Sequence, residues 1–479
     1  MPDEAKASSL ASVAEEARCY GIKHLPKEND YQAQLKAFTC EKWWFRNFKR
    51  LQKQALEQLA RNLELVHKHR SAYSSNLTLE NRLKEKALSR LFLESTFVTN
   101  EIGQEFSLAE LSDKNISNPA IRRAELMVRV KGFEQLAEYN NHVGLFVTIT
   151  APSRFHQITA NGKPNAKYNG STPADVQEFL NNDWIKIRSA YNKKEIHPYG
   201  FRVAEPHHDA TPHWHMLLFV HPEEVQQLVD IFKHYALKDA DTTNANLKHR
   251  LKVVHIDKNR GSAAGYIAKY IAKNIDGFGI DEDLEGNDAK VAAQKIEAWA
   301  STWNIRQFQQ IGGAPVTVWR ELRKLKNTQD DELLESARQA ADASDWAAYN
   351  LLMGGANLPR SARPIQPYYE EIENGLVYDL DTAEVVQLPK QTKKLKGLIC
   401  NGEIITSRIH EWKLSGSLNS TSSRSEQFEF IEQCDLEYDI EAQFQNHLAR
   451  ARKCEEAYLA YEHMLFSEGG GARSCAPPD

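Results

Sequence analysis

The sequence has little cysteine, no long apolar run and no pronounced net charge, and each shortage excludes a class of protein. Its six cysteines, Cys19, Cys40, Cys400, Cys434, Cys454 and Cys475, form no C-x-x-C pair. That scatter argues against a zinc ribbon and against a disulfide framework, so the thiols are expected to be reduced. The longest apolar stretches, Val143–Thr150 and Met216–Val220, are strand-length and fall well short of the roughly 18–20 residues that span a bilayer. No apolar segment opens the chain, where Asp3 and Glu4 stand, so we expect neither a secretory signal nor a membrane span, and a cytoplasmic location. With 60 Lys and Arg against 65 Asp and Glu the formal charge is −5, so any grip on a polyanion must come from local basic surface. No G-x-x-x-x-G-K-S/T run is present, which leaves no phosphate loop for a helicase motor.

What is there is a globular chain of 479 residues, 41% hydrophobic and 26% charged, enough for two to four domains at about 100–200 residues each. Residues 1–140 read as a helical N-terminal region. Glu41–His69, Thr78–Phe97 and Asn118–Tyr139 carry helical periodicity, and the first has a basic face (Arg46, Lys49, Arg50, Lys53) that could meet DNA. Between 141 and 327 the period changes. We expect strands at His142–Thr150, Gly200–Glu205, His213–Val220, Leu251–Asp257 and Ile305–Ile311, and helices at Ala174–Lys193, Pro222–Ala236, Ser262–Asn274 and Pro315–Leu325. That order, with a hairpin at its centre, predicts an α+β fold whose mainly antiparallel sheet is covered by helices. Residues 328–414 read as a helix (Asp330–Met353) followed by short strands (Tyr378–Ile409). Residues 415–479 read as a Ser-rich linker, a helix (Phe428–Phe466) and a flexible tail.

Two clusters could carry chemistry. In EPHHDATPHWH (205–215), His213 and His215 stand two apart on a strand, so their side chains share a face about 6–7 Å apart. Glu205, ending the preceding strand of the hairpin, lies alongside and can add a carboxylate. Two imidazoles and a carboxylate suit Mg²⁺, Mn²⁺ or Zn²⁺. A lone H-x-H is common by chance, and His207, His208 and His221 read as loop residues or as residues that support the ligands from behind, not as ligands themselves. The second cluster is the doubled Tyr-Ile-Ala-Lys in GYIAKYIAKN (265–274). On a helix Tyr266 and Tyr270 share one face, and Lys269 and Lys273 an adjacent one. A phenol of ordinary pKa about 10 is a poor nucleophile without a cation or metal-bound phosphate nearby, and an amphipathic helix packing its tyrosines on a sheet explains the pattern equally well. A locally basic stretch, Lys248-His249-Arg250-Leu251-Lys252 with Lys258 and Arg260, flanks this helix and suits an electrostatic groove for a nucleic-acid strand.

An acid-ending strand, H-x-H on the next strand and a two-tyrosine helix further on together resemble the HUH endonuclease superfamily. Within it, FRVAEPHHDATPHWHMLLF, GYIAKYIAKNIDG and WNIRQFQQIGGAPVTVWRELRKL are similar to the replication gene A proteins of temperate tailed phages, over about residues 40–330. The resemblance implies a sheet with the H-x-H strand in its middle, His213 and His215 as metal ligands, Glu205 as third ligand with His255 as its competitor, and Tyr266 and Tyr270 as nucleophiles. It further implies Mg²⁺ or Mn²⁺ as cofactor and single-stranded DNA at a replication origin as substrate. One strand would be nicked through a 5′-phosphotyrosine link, releasing a 3′-hydroxyl for rolling-circle synthesis, with host helicase and DNA polymerase as partners. Lys269, Lys273, Lys258 and Arg260 would contact phosphates. Alternatives are a two-tyrosine transposase or plasmid replication protein, a hydrolase using metal-bound water with structural tyrosines, and a non-catalytic DNA-binding protein.

Overall fold

The computed structural model of the chain describes residues 2–238, 249–257, 262–279, 288–325, 330–373, 376–378, 385–387 and 391–415. Lys248, Lys258 and Arg260 lie outside these residues, as do the helix and tail expected after 415. Helices α1 (Pro2–Cys19), α2 (Tyr31–Phe38) and α3 (Glu41–Asn62) share a small core of Leu10, Ala14, Ala37 and Phe38 with Trp43 and Trp44. α3 stops at Asn62, short of the expected His69, where Glu64 turns into the left-handed region (φ 55°). α4 (Asn76–Ser95) leads into strands β1 (Phe97–Asn100) and β2 (Glu105–Ser107), then helices α5 (Leu108–Asp113) and α6 (Pro119–Tyr139).

The central sheet follows. Its strands are β3 (Val143–Thr150), β4 (Tyr199–Pro206), β5 (Pro212–Val220), β6 (Leu251–His255) and β7 (Phe308–Ile311). They lie in the order β6-β3-β5-β4-β7, and every neighbouring pair is antiparallel. The strand carrying H-x-H is therefore the middle one, and the fold is the helix-flanked antiparallel α+β arrangement that the element order implies. Helices α7 (Pro173–Lys193), α8 (Val225–Ala236), α9 (Ala263–Ile275), α10 (Ala289–Trp303) and α11 (Val316–Leu322) surround it. β4 and β5 are buried at every position, as strands covered on both faces should be.

Alternation along β5 assigns the two faces. Trp214, Met216, Leu218 and Val220 join Leu145, Val147 and Ile149 against α7 and α8, through Leu180, Trp184 and Phe232 among others. Trp214 also donates its indole N–H to Gln177 Oε1 at 3.0 Å, so its one polar atom is satisfied in the core. On the opposite face Leu217 and Phe219 join Tyr199, Phe201 and Val203 against α6 (Val130, Phe133, Leu136) and α9 (Ile267, Ile271). Each large apolar side chain buried here contributes roughly 1.5–3 kcal/mol. Gly200 lets β4 and β5 approach: at φ +149°, a Cβ there would lie 1.9 Å from the Leu217 carbonyl oxygen.

Elsewhere the structure departs from expectation. α10 was not foreseen: AKVAAQKIEAWASTW marks its inner face mostly with alanines, a weak periodic signal. The expected helix Asp330–Met353 is two, α12 (Glu332–Asp342) and α13 (Trp346–Leu352), because Ser344 takes φ 58° and Asp345 caps a new helix at Ala348 N. Strands β8 (Ile365–Glu373), β9 (Leu376–Tyr378), β10 (Val385–Gln387), β11 (Gln391–Cys400) and β12 (Glu403–Thr406) match the strand-like pieces expected there, starting earlier. Ser415, expected to open a linker, instead ends β13 (Trp412–Ser415), which pairs with β1.

Candidate active site

Register brings the first cluster together. Glu205 on β4 lies opposite His213 on β5, while His215 lies between Val203 on β4 and Thr148 on β3. Directly paired residues point the same way, so Glu205, His213, His215 and Thr148 all face α9. The His213 and His215 Nε2 atoms are 2.8 Å apart, and Glu205 Oε2 is 3.9 Å from the first and 3.6 Å from the second. All three residues are buried, and among the described residues they are the one group whose donors converge closely enough to hold a metal ion. Thr148 Oγ1, 3.1 Å from His215 Nδ1, orients that ring from behind. His255, the competitor for third ligand, is exposed on the edge strand opposite Leu145 and stands outside this group.

Electrostatics suit the donor set to a cation. Burial, reinforced by neighbouring His215 and Lys273, holds His213 well below the usual histidine range, and burial with His207 and Lys273 nearby holds His215 at about 3. Both imidazoles are thus neutral near pH 7, the form in which a histidine can bind a metal. Burial pushes the Glu205 carboxyl up, opposed by Lys273 and Asn274, so this carboxylate gains from any added positive charge. A divalent cation of the nitrogen- and oxygen-binding class fits these three residues; their chemistry does not select one metal.

The tyrosine helix α9 lies across this site. Ser262 caps it by accepting from Gly265 N, and the Glu134 carboxylate of α6 accepts from the backbone N–H groups of Ala263 and Ala264. Ile267 and Ile271 anchor one flank in the core, which turns Tyr270 onto the sheet. Its ring centroid is 4.1 Å from that of His215 and stacks on Phe146 at 5.4 Å. Tyr266, one turn earlier and half-buried, reaches Phe146 at 6.2 Å. Burial, with Glu205 adding to it, pushes the Tyr270 phenol above its ordinary range. Lys273 is buried with Nζ 3.8 Å from Glu205 Oε2 and 5.0 Å from the Tyr73 ring centroid, whereas Lys269 is exposed.

Several neighbours escaped the sequence reading. Asn274 donates to Glu205 Oε1 and, at 2.7 Å, to the Tyr270 carbonyl, while Gln307 donates to its oxygen at 3.2 Å. The signal for Asn274 was present, since it continues the Tyr266–Tyr270 spacing by another four residues. Gln307 left none. His207, expected in the loop or in support of the ligands, stacks on His213 with ring centroids 3.9 Å apart. Beyond it His156 lies 3.2 Å from the buried Asp209 carboxylate; burial opposes ionisation there, but His156, His207 and Arg61 hold Asp209 well below its usual range. His221 is exposed at the other end of β5.

The model of the bacteriophage replication gene A protein family matches residues 3–278, more than half of the chain, and takes in the H-x-H strand and the tyrosine helix. The chain belongs to the bacteriophage replication gene A protein family. The gene A match reaches back to the first helix, well before residue 40, where the resemblance in the motifs begins; the N-terminal helices carry no short motif that would show it. The chain is 37% identical over 410 residues to the "Replication protein" of Haemophilus phage HP1, covering 84% of this chain and 51% of that one. It is 38% identical to the "Replication gene A protein" of Escherichia phage 186, covering 78% and 54%. A "Probable replication endonuclease from prophage-like region" of Salmonella paratyphi A is 33% identical, covering 70% and 44%. The chain thus spans about half the length of the curated relatives it matches. No solved structure matches it. No helix among the described residues is long and apolar enough to cross a membrane.

Proposed function

We propose that this chain initiates phage DNA replication as a single-strand endonuclease of the HUH type, nicking an origin by tyrosine transesterification. The observation that carries the reading is the Tyr270 ring packed 4.1 Å from that of His215, inside the cluster that His213 and Glu205 complete. A relative named a replication endonuclease supports it. Glu205, His213 and His215 would hold Mg²⁺ or Mn²⁺, which when bound polarises the scissile phosphate and draws charge off the transition state. Tyr270 or Tyr266 attacks phosphorus in line, forming a 5′-phosphotyrosine and freeing a 3′-hydroxyl for the host polymerase to extend in rolling-circle synthesis. The second tyrosine cuts the regenerated origin while the first stays linked to DNA, and reversal closes a circle. Residues 141–327 form the catalytic unit, Lys269, Lys258 and Arg260 meet phosphates around it, Lys273 steadies Glu205, and a host helicase supplies unwinding. The chain works in the bacterial cytoplasm.

The test mixes purified chain with single-stranded oligonucleotides tiled across its native replicon and Mg²⁺ or Mn²⁺, and looks for a covalent adduct on a denaturing gel. An adduct that requires metal and is lost only when Tyr266→Phe and Tyr270→Phe are combined is the expected result. Cleavage without adduct, unchanged in the double variant, refutes tyrosine transesterification in favour of attack by water.

A further inference from the structure

Tyr73 stands where a bulky residue rarely does. Its φ is +74°, in the left-handed region that a tyrosine enters only under constraint, and it is 2% exposed. Three sets of contacts supply the constraint. Its backbone N–H donates at 3.2 Å to the His208 carbonyl in the turn between β4 and β5, which ties this segment to the H-x-H hairpin. Beside it Ser71 Oγ donates to the Ser74 carbonyl at 2.6 Å, and Ser74 Oγ donates to the Lys295 carbonyl of α10 at 3.1 Å. Ala72 and Tyr73 pack on Ala292 and Ile296 of the same helix. The short segment between α3 and α4 thus brings one aromatic ring to the candidate active site from outside residues 141–327.

That ring meets Lys273. The ammonium is buried, with Nζ 5.0 Å from the Tyr73 ring centroid and 3.8 Å from Glu205 Oε2. At that distance it neighbours the carboxylate without donating a hydrogen bond to it, whereas an ammonium free to settle on a carboxylate closes to about 2.7–2.9 Å. The face of an aromatic ring is negative and competes for the cation. The gap matters for the ligand set. Asn274 donates to Glu205 Oε1, while Oε2 is the oxygen that lies 3.9 and 3.6 Å from the Nε2 atoms of His213 and His215. An ammonium seated on Oε2 would take the carboxylate away from those imidazoles. Resting on the metal centre of the proposed function, we propose that Tyr73 is a positioning residue, whose ring holds the Lys273 ammonium back from Glu205 and keeps Oε2 available to the cation. The left-handed backbone at position 73 serves that placement of the ring.

The experiment measures the Kd of the full chain for Mn²⁺ by calorimetry. Tyr73→Phe keeps the ring and is expected to bind within about threefold of the native chain. Ring-fluorinated phenylalanine at position 73 keeps the size but empties the negative face, and is expected to bind about tenfold more weakly than Tyr73→Phe. In a Lys273→Met background, where there is no ammonium to hold, that difference is expected to shrink below about twofold. A ring that only fills space gives no loss on fluorination, or the same loss with and without Lys273; either result, or tighter binding, overturns the assignment. If the native chain binds no Mn²⁺, or binds it as well when His213→Ala and His215→Ala are combined, the metal centre fails and the role of Tyr73 falls with it. Mn²⁺ held through the histidines but indifferent to the ring overturns the role of Tyr73 alone.

Discussion

Asn274 gives one amide hydrogen to Glu205 and another to the Tyr270 carbonyl, while its oxygen accepts from Gln307 on the segment entering β7. It is fully buried and ties three elements to a single carboxylate. Groups that orient a metal ligand typically change affinity by about 10–100-fold when removed. Asn274→Ala should therefore weaken Mn²⁺ binding by about that factor in calorimetry, and Asn274→Leu, which keeps the size of the side chain without its amide, by as much. Unchanged Mn²⁺ affinity in both variants would show that Glu205 is held some other way. Its place four residues after Tyr270 puts it on the tyrosine face of α9, but that it holds Glu205 became visible only when α9 lay across β4.

At the scale of elements, one buried carboxylate adds to the strand pairing and core packing that tie the C-terminal strands to the body of the molecule. Glu321 on α11, nearly inaccessible, accepts from Lys324 at 2.7 Å, from Arg408 at 2.8 and 3.2 Å, and from Ser407. Burial alone would raise its pKa, but Arg408, Lys324 and Ser407 outweigh it and hold the carboxyl at about 2 against an ordinary 4.5. The folded pKa is the lower one, so its stabilisation is complete above about 4.5 and is lost as pH falls toward 2. Glu321→Gln should cost about 1.5–3 kcal/mol at pH 7, the range for hydrogen bonds to a charged group. Thermal melts should show the gap between variant and native chain narrowing below pH 4.5. A gap that stays constant to pH 3 would mean that this ion cluster does not anchor the strands.

For the whole molecule, the candidate metal centre couples binding to stability, because its ligands come from two strands of a sheet that exists only in the folded chain. At a hundredfold excess over Kd, Mn²⁺ should stabilise the native state by about 2.7 kcal/mol. The melting temperature should rise with added Mn²⁺ and fall back with chelator, and combining His213→Ala with His215→Ala should abolish the rise; an equal rise in that variant would place the metal elsewhere. His213, His215, Tyr266 and Tyr270 were legible in the sequence because strand and helix periodicity are local: residues two apart on a strand, or four apart on a helix, share a face whatever lies beyond them. The strands of the central sheet were legible for the same reason, from short apolar runs bounded by turn residues. The helix Ala289–Trp303 escaped because alanines mark an inner face faintly, and β1 with β13 escaped because their pairing joins residues more than 300 positions apart. Local side-chain pattern, then, determined the elements and the chemistry they could bear. Which elements meet depends on burying all of their apolar faces at once, a property of the whole chain, and only that decided that Asn274 holds Glu205 and that His207 stacks on His213.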